Sequence, residues 1–497
     1  MAASSKSKKG FFERLKSVFI ETQKCNEIDL TEPLRLCKES VRIPLDNCPL
    51  EISLNVNSIS LNLVPEQYIG EKHGNDKFSL LLFNPDYFYT QISAFIRIAE
   101  GDHLIVGRED EHQHVLFHTP DKIAKQQFAI IHEGSSLLIK DLQSEQGTTL
   151  TPHAQEKRDF NAMRMDNLRE IRRIFRGPIE LLPAETALED LNKVNRLLEK
   201  EPLRPKDDDG MPGGVVSLPK KMIPIIIGDL HAQVNNLLTL LTQNRFLEML
   251  SDGKAAMVFL GDAVHSEMDG CLEEMESSLL MMDIILRLKL WFPQQVFYVR
   301  GNHDSFSDEI GKAGIPQGLL WAQAIQKARG EAYKKAMDRF YELLPYVLLS
   351  KNYVACHAAP PKGKVDMDML VNIKKYPGLI QEVTCNRLYR PNRLAGYTKG
   401  DVKRFRKALN LQGKAELFVG HTPLTRHETL WLNVGGIEHH DVVFSGNIPW
   451  IGVFTRVQEQ MIPLRYRSES LLEILNNLDD VELYDELAWE DSYARES

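Results

Sequence analysis

The sequence predicts a mixed α/β (α+β) chain, in which an all-β region precedes a region of alternating strands and helices. Residues 48–155 contain short runs such as LEISLNV that alternate apolar and polar side chains, and turn residues separate these runs. Residues 156–220 space apolar side chains three and four apart, as helices do. In residues 221–467, apolar runs such as IPIII and MVFL alternate with helical patterns such as NNLLTLL.

These patterns give the expected order of domains along the chain. We expect a basic N-terminal segment in residues 1–47, a β-sandwich in 48–155, a helical linker in 156–220, an α/β domain in 221–467 and an acidic tail in 468–497. The stretch KDDDGMPGGVVSLPK is rich in Asp, Gly and Pro, which is typical of a boundary between domains.

The net charge of -9 lies at the C-terminal end of the chain. From Ser468 onward there are ten acidic residues and one arginine, so the rest of the chain is neutral. Nucleic-acid-binding proteins need a basic face, and this charge balance argues against that class. The first eighteen residues are basic instead. We expect both ends to be solvated.

The apolar runs and the cysteines indicate where the protein works. No apolar run approaches the roughly 18 to 20 residues that span a bilayer, and the first residues lack the apolar stretch of a signal peptide. The six cysteines are scattered, without a CxxC pair or a compact framework. The sequence therefore predicts a soluble protein of a reducing cytosol, which the general secretory route does not export.

Five apolar strands of residues 221–467 end in side chains that bind metals. These strand ends carry Asp229 and His231, Asp262, Asn302 with His303 and Asp304, His357, and His421. Ligands of α/β sheets bind beyond the carboxyl ends of the strands, so these ends are expected to meet in one crevice. A set of imidazole and oxygen ligands without thiolate suits two divalent ions such as Mn, Fe or Zn, with one carboxylate bridging them.

The motifs around these residues resemble those of a known family. GDLHAQVNNLLTLL, VFLGDAVHSE, FYVRGNHD, LLPYVLLSKNYVACHAAPP and ELFVGHTPL are similar to the successive motifs of calcineurin-like metallophosphoesterases, in particular of the phosphoprotein phosphatase branch. The resemblance covers about residues 221–467 and implies a β-sandwich flanked by helices. It also implies the ligands of two ions: Asp229 and His231 for the first, Asp262 as the bridge, and Asn302, His357 and His421 for the second.

The resemblance further implies a mechanism and a substrate. A hydroxide activated by the dinuclear centre would attack phosphorus, and His303 would protonate the leaving oxygen. Arg300 and Arg393 would hold the phosphate, and Asp304 stands where this branch has a glutamate next to the catalytic histidine. The implied substrates are phosphoserine and phosphothreonine in proteins, with phosphotyrosine left open, and manganese is the expected metal in vitro.

The second motif departs from the family pattern. His265 and Ser266 stand where the family has an aspartate that orients the catalytic histidine and an arginine that grips phosphate. Either Glu267 or Asp269 supplies the missing negative charge, or His303 is tuned differently. Two alternatives to a protein phosphatase therefore stay open: a nucleotide or diadenosine-polyphosphate hydrolase, and an inactive phosphatase fold that serves as a binding module.

The β-region has a resemblance of its own. VGREDEHQHVLFHTPDKIAKQQFAII followed by IKDLQSEQGTTL is similar to a forkhead-associated (FHA) domain, a class that reads phosphothreonine. Arg108 and Lys125 match the phosphopeptide-binding positions, whereas Ala124, Gln127 and Gln146 replace the family's serine, histidine and asparagine. The alternative to phosphopeptide binding is a scaffold, or a surface for an unphosphorylated protein partner.

The acidic tail also allows two interpretations. LLEILNNLDDVELYDELAWEDSYARES resembles the glutamate-rich C-terminal signals of type IV secretion effectors, among which phosphatases of this branch occur in Legionella. The protein is then expected to be secreted into a host cell as a bacterial effector. A solvated acidic tail without that role explains the composition equally well.

Overall fold

The fold is described from a computed structural model. It describes residues 25, 27–48, 50–55, 60–65, 77–83, 92–107, 114–115, 124–142, 144–152, 160–243, 245–389, 396–411, 414–425, 428–448, 450–457 and 460–477. The chain divides into two compact units, Met1–Ala162 and Met163–Ser497. Among the helices within those ranges, none combines the length and the hydropathy that a membrane crossing requires.

The described part of the first unit is built of β-strands. Their bounds are β1 Leu34–Leu36, β2 Ser40–Pro44, β3 Leu50–Ser53, β4 Ser60–Pro65, β5 Lys77–Phe83, β6 Ile92–Ala99, β7 His103–Gly107, β8 His114–Val115, β9 Phe128–Glu133, β10 Ser136–Asp141 and β11 Thr148–Pro152, with a 3-10 turn at Leu45–Asn47. One sheet has the order β1-β11-β3-β4-β5-β6 and the other β2-β10-β9-β7-β8. All pairs are antiparallel except β7 with β8.

The period-two pattern of the sequence corresponds to real strands in this unit. In β3, Leu50 and Ile52 are buried while Glu51 and Ser53 are half-buried. The structure adds β1 and β2, which lie before residue 48 and pair with β11 and β10. These strands have three and five residues, too few for periodicity to indicate them, and only their pairing with distant strands makes them visible.

The second unit contains two further sheets. Their strands are β12 Val215–Ser217, β13 Ile223–Ile227, β14 Ala255–Phe259, β15 Val296–Tyr298, β16 Val347–Ser350, β17 Tyr353–Cys356, β18 Glu416–Val419, β19 Leu430–Trp431, β20 His440–Val443, β21 Trp450–Val457 and β22 Gln460–Arg467. The six-stranded sheet has the order β12-β16-β17-β18-β20-β19, and the five-stranded sheet has the order β15-β14-β13-β21-β22.

Helices accompany these sheets. Their bounds are α1 Phe160–Phe175, α2 Ala184–Glu199, α3 Val234–Leu241, α4 Phe246–Ser251, α5 Glu276–Trp291, α6 Gln317–Leu343, α7 Met367–Val371, α8 Pro377–Cys385, α9 Lys399–Ala408 and α10 Leu471–Asn476, with 3-10 turns at Ile373–Lys375 and Val434–Gly436. Buried apolar side chains of the two sheets meet in one cluster, to which Ile226, Val258, Leu348 and Phe418 belong. The prediction of a β-sandwich flanked by helices is confirmed.

The Gly-rich stretch before β13 is packed into the second unit. The sequence predicts a linker there, but β12 within it pairs with β16 in parallel. A Cβ atom at Gly214 would lie 2.4 Å from the carbonyl oxygen of Leu370, and one at Gly213 would lie 2.8 Å from that of Pro205. These glycines therefore permit a close approach of backbones, which composition alone does not distinguish from flexibility.

Buried ion pairs join the helices of this unit. Arg287 on α5 contacts Asp190 on α2 at 2.9 Å, and Lys289 on α5 contacts Glu201 at 2.8 Å. Arg329 on α6 contacts Asp283 on α5 at 2.5 Å, and both side chains are at most 2% exposed. A buried charge is tolerated only with its partner in place, because the interior does not solvate it.

Arg329→Met is expected to destabilise the second unit by about 3–5 kcal/mol, because it leaves the Asp283 carboxylate buried without its partner. The measurement is the urea midpoint of unfolding. Arg339→Met is the matched control, since Arg339 lies on the same helix and pairs with Glu199 at 3.0 Å near the surface. We expect the control to cost less than about 1 kcal/mol. Equal effects of the two substitutions would contradict the prediction.

Candidate metal centre

The sheet order brings the predicted ligands to one place. Asp229, Asp262 and Asn302 follow β13, β14 and β15, which are neighbouring parallel strands of the five-stranded sheet. His357 and His421 follow β17 and β18, which are parallel neighbours in the six-stranded sheet. The carboxyl ends of both strand groups meet at the same edge of the sandwich, as a crevice at strand ends requires.

One set of these side chains converges on the imidazole of His357. Its Nε2 atom lies 2.9 Å from Asn302 Oδ1, 3.2 Å from Asp262 Oδ2 and 3.2 Å from His421 Nδ1. Ligands at right angles on one ion, with bonds of about 2.1 Å, are about 3 Å apart. The four donor atoms therefore fit around a single divalent ion.

A second set lies beside the first and shares Asp262 with it. Ligand atoms of Asp229, His231 and Asp262 lie within 4.8 Å of one another, as do those of Asp262, His357 and His421. The Nε2 atom of His231 is 3.8 Å from Asp229 Oδ2. Because Asp262 belongs to both sets, its carboxylate is in the position to bridge two ions.

Backbone carbonyls fix the orientation of two of the imidazoles. His357 Nδ1 donates to the carbonyl oxygen of Leu260 at 2.7 Å, and His231 Nδ1 donates to that of His265 at 3.0 Å. With the proton held on Nδ1, the Nε2 atom of each ring has its lone pair directed at the centre. This is the arrangement that metal-binding histidines require.

The backbone at the centre is unusual in conformation and in packing. His231, Asp262 and His421 have φ angles of 44°, 51° and 63°, the left-handed region that costs a non-glycine residue about 1–3 kcal/mol. A Cβ atom at Gly420 would lie 2.1 Å from Asp229 Oδ1, and one at Gly301 would lie 2.1 Å from Asp262 Oδ1. The glycines before His421 and Asn302 therefore leave room for the two carboxylates.

Burial perturbs the charges of the centre. Burial raises the pKa of Asp229 to about 6. Burial opposes the charged form of His357, but the carboxylates of Asp262 and Asp229 outweigh it and raise the pKa of His357 to about 9. Two carboxylates held in a buried site need positive charge nearby. The residues present thus fit divalent cations in number, type and spacing.

His303 lies against the centre and against His265. The backbone N–H of His303 donates to Asp262 Oδ1 at 2.8 Å, and its Nδ1 lies 2.9 Å from Nδ1 of His265. One of these two nitrogens donates and the other accepts. Burial lowers the pKa of His303 to about 4 and holds the pKa of His265 well below its usual value. His265 therefore takes the place beside His303 that the family gives to an aspartate.

The carboxylate of Asp304 is held by hydrogen bonds beside the metal centre. It accepts from the hydroxyl of Tyr298 at 2.8 Å and from the backbone N–H of Gly301 at 2.7 Å, and it is fully buried. Burial raises the pKa of Asp304 to about 6. These contacts connect it to the loop that carries Asn302 and His303, so its evident effect is to position that loop.

Of the two arginines expected to bind phosphate, the structure describes Arg300. The Arg300 guanidinium donates to the hydroxyl of Tyr346 at 3.1 Å and stacks over its ring. Arg393 lies outside the described residues. Arg387 is described, and its positive charge is one of the causes, after burial and His357, that hold the pKa of His421 below its usual value. Arg387 lies in the same short stretch of sequence as Arg393.

In the first unit, only part of the predicted phosphopeptide site falls on described residues. Arg108 lies outside them, whereas Lys125 lies in the segment before β9. Gln127 is fully buried, accepts from the backbone N–H of Ala124 at 3.2 Å and donates to the carbonyl oxygen of Gly147 at 3.2 Å. Gln127 thus holds two loops together, and phosphopeptide binding stays a prediction.

A groove of about 630 Å³ opens next to the metal centre. Phe444 lines it, and its ring lies 5.7 Å from the ring of His231. Exposed apolar side chains of Met268 and Ile448 line it together with Glu267 and Lys312. Lys312 is not among the residues predicted from the sequence, because nothing in the spacing of its loop indicates a contact with the second motif.

Two sheets with flanking helices and ligands at the strand ends define a metallophosphoesterase fold. Residues 224–449 match the family described as calcineurin-like phosphoesterase. The match lies within the second unit and spans less than half of the chain. The match makes this part of the chain similar to that family.

Similar solved structures include two phosphatases. A protein serine/threonine phosphatase from Saccharomyces cerevisiae, described as similar to human phosphatase PP5, is 18% identical with a TM-score of 0.43, over 58% of this chain and 91% of that one. A cold-active protein-tyrosine phosphatase of a psychrophilic Shewanella species is 14% identical with a TM-score of 0.35, over 51% and 82%. These likenesses are too distant to indicate a substrate. No curated protein matches the sequence.

Proposed function

We propose that this protein is a metal-dependent phosphoprotein phosphatase that hydrolyses phosphoserine or phosphothreonine, with phosphotyrosine left open. One observation carries the proposal: two sets of buried ligands share Asp262, the backbone N–H of His303 donates to that carboxylate, and the imidazole of His303 lies 5.2 Å from the ring of His231. This arrangement supports phosphoester hydrolysis, because it combines a site for two cations with a group that can transfer a proton.

The chain's own residues have separable roles in this proposal. Ions bound by the two sets would polarise the phosphoryl group and lower the pKa of water, and manganese is the proposed metal in vitro. His303 is placed to donate a proton to the leaving oxygen. His265 holds the ring of His303 at Nδ1 and leaves its other nitrogen for the substrate. Arg300 supplies positive charge for the phosphate oxygens.

The groove supports a protein rather than a nucleotide as substrate. Phe444 lines the groove and its ring lies 5.7 Å from that of His231, so the groove would accommodate the neighbours of a residue whose phosphate reaches the metal centre. Met268 is 44% and Ile448 is 53% exposed there, which offers apolar contacts to side chains of a peptide. We propose that the first unit binds a protein partner.

A panel of matched phosphopeptides tests the proposal. Peptides of one sequence that carry phosphoserine, phosphothreonine or phosphotyrosine are incubated with the full chain and Mn²⁺, together with diadenosine tetraphosphate, and phosphate release is measured. We expect release from at least one peptide at a kcat/KM at least about tenfold above that for the nucleotide, since a peptide also contacts the groove.

The alternatives predict other outcomes of the same panel. Faster hydrolysis of the nucleotide would overturn the protein phosphatase in favour of a nucleotide hydrolase. Equal phosphate release by the wild type and by an Asp262→Asn control would indicate a phosphatase fold that only binds. Metal analysis of the same sample identifies the ions that the active protein holds.

A further inference from the structure

Lys312 is the basic residue among the described residues that line the groove beside the metal centre. Two acidic residues, Glu267 and Asp269, line the same groove. A phosphate ester is negatively charged, and a groove with more acidic than basic side chains repels it unless a cation lies where the phosphate approaches. Lys312 is therefore the side chain of the groove whose charge is complementary to an incoming phosphate.

The turn that carries Lys312 is held by backbone hydrogen bonds. The N–H of Lys312 donates to the carbonyl oxygen of Ile315 at 3.2 Å, and the N–H of Ile315 donates back to that of Lys312 at 2.9 Å. Ala313 and Gly314, between them, have φ angles of 52° and 83°. Two successive residues with positive φ are typical of a tight hairpin turn. The backbone of Lys312 thus has a defined place, and its side chain extends from a fixed base.

The same segment is attached to the second motif. Gln317 is fully buried, and its Nε2 donates to the carbonyl oxygens of Ser266 at 2.9 Å and of Leu272 at 3.0 Å. The side chain of Ser266 is short and buried, and its Oγ accepts from the backbone N–H of Met268 at 3.3 Å. Position 266, where the resemblance implies an arginine, therefore supplies no positive charge, but it is joined to the loop that carries Lys312.

An ion pair brings the ammonium group of Lys312 towards the metal centre. Its Nζ atom lies 2.7 Å from Oε2 of Glu267, and Oε1 of that carboxylate lies 3.8 Å from Nε2 of His231. Because the two oxygens of one carboxylate are about 2.2 Å apart, Nζ is at most about 9 Å from this His231 nitrogen.

A phosphate is large enough to join Lys312 to the centre. Its oxygens are about 2.5 Å apart, bonds to an ion are about 2.1 Å long, and a charge-assisted hydrogen bond adds about 2.8 Å. Together these lengths match the separation between Nζ of Lys312 and Nε2 of His231. An ammonium group has three N–H donors, so it can bind a phosphate oxygen and Glu267 at the same time.

We propose that Lys312 binds the phosphate group of the substrate and shares its ammonium group between that phosphate and Glu267. The proposal rests on the proposed function, to which it adds a phosphate-binding residue from a loop outside the motifs. Lys312 then supplies the positive charge that Ser266 does not. Such a cation stabilises the negative charge on the phosphate oxygens during transfer.

Binding of inorganic phosphate tests the proposal without a measurement of activity. The full chain is loaded with Mn²⁺, excess metal is removed, and the Kd for inorganic phosphate is measured by isothermal titration calorimetry. We expect Lys312→Met to raise this Kd by about tenfold or more, because a hydrogen bond to a charged group is lost. Lys312→Arg is expected to stay within about threefold of the wild type, since it keeps a charged donor.

The Mn²⁺ content and the Tm are measured for each variant. We expect Lys312→Met to hold as much Mn²⁺ as the wild type, and a loss of metal that accounts for the weaker phosphate binding would overturn the proposal. Should Lys312→Met not fold, the same titration is made with Lys312→Gln, for which we expect the same rise in Kd.

Two further variants separate phosphate binding from other effects of the substitution. Glu267→Gln breaks the ion pair but keeps the lysine and removes a negative charge from the groove, so its Kd for phosphate is expected to be at most about threefold above that of the wild type. Lys327→Met removes a positive charge from an exposed position on α6 and is expected to leave the Kd unchanged.

The outcomes distinguish the role of Lys312 from the proposed function. A wild-type Kd in Lys312→Met would overturn the role of Lys312 and leave the phosphatase intact. The same would follow if Glu267→Gln or Lys327→Met lost as much affinity as Lys312→Met, because the ion pair or the overall charge would then be responsible. A wild-type chain that holds Mn²⁺ but binds no phosphate would overturn the proposed phosphatase, and the role of Lys312 with it.

Discussion

Asp262→Asn is expected to lower kcat/KM for p-nitrophenyl phosphate by at least about 10³-fold in the presence of Mn²⁺. The carboxylate of Asp262 belongs to both ligand sets, so its loss weakens both ion sites at once. Bound ions contribute several kcal/mol of charge stabilisation in the transition state. A loss of about 4 kcal/mol corresponds to about a thousandfold slower reaction.

A folding control accompanies this measurement. Asp262 accepts the backbone N–H of His303, so the variant must be compared with the wild type by its melting temperature as well as by its rate. Asp269→Asn makes the same chemical change in the groove and is expected to keep its activity within about twofold, as an exposed surface substitution does. A folded Asp262→Asn protein with more than a tenth of the wild-type rate would contradict the bridging role.

His303→Ala is expected to lower kcat by about 10² to 10⁴ for a phosphoserine peptide, the range for loss of a general acid. The effect on p-nitrophenyl phosphate is expected to be much smaller, because nitrophenolate leaves without a proton. Measuring both substrates with the same variant separates proton donation from metal binding. Asp262→Asn, in contrast, is expected to slow both substrates alike.

Substitution of His265 provides a second test of the contact between His265 and His303. Its Nδ1 lies 2.9 Å from Nδ1 of His303, so His265→Ala removes the contact that orients the ring. We expect the same dependence on the leaving group as in His303→Ala, with a smaller loss of kcat. Equal losses on both substrates in both variants would indicate that these histidines support the metal centre and do not move a proton.

Strand ends were the most predictable part of the site. Each of the five motifs places its ligand directly after an apolar run, and parallel pairing of β13 to β15 and of β17 with β18 brings the ends together within each sheet. Packing of the two sheets then brings the two groups to one place. The motif pattern therefore indicates the convergence without any knowledge of distances. The separate roles of the ligands still follow from resemblance and from the proposed chemistry.

Contacts between distant loops were not predictable in the same way. The sequence leaves open whether Glu267 or Asp269 replaces the missing aspartate, but in the structure His265 contacts His303 and Glu267 faces His231. The approach of Lys312 to Glu267 joins loops 45 residues apart. No periodicity encodes such a contact, because it depends on how two irregular segments leave their strands.

The short strand β12 could not be predicted from the sequence for a related reason. β12 has three residues and lies in a stretch whose composition is that of a linker. Its strand conformation comes from pairing with β16, more than a hundred residues away. Local propensity is a weak signal for so short an element, and the tertiary context decides its structure.

The buried ion pairs of α5 bear on how this fold can change in evolution. Asp190 and Glu201 lie in the helical segment before the matched family residues, and their partners Arg287 and Lys289 lie within those residues. Exchange of that segment for an unrelated one would leave two cations without counter-charges in the interior. We therefore expect a substitution at one end of these pairs to require a compensating substitution at the other, so that the segment and the matched residues constrain each other's changes.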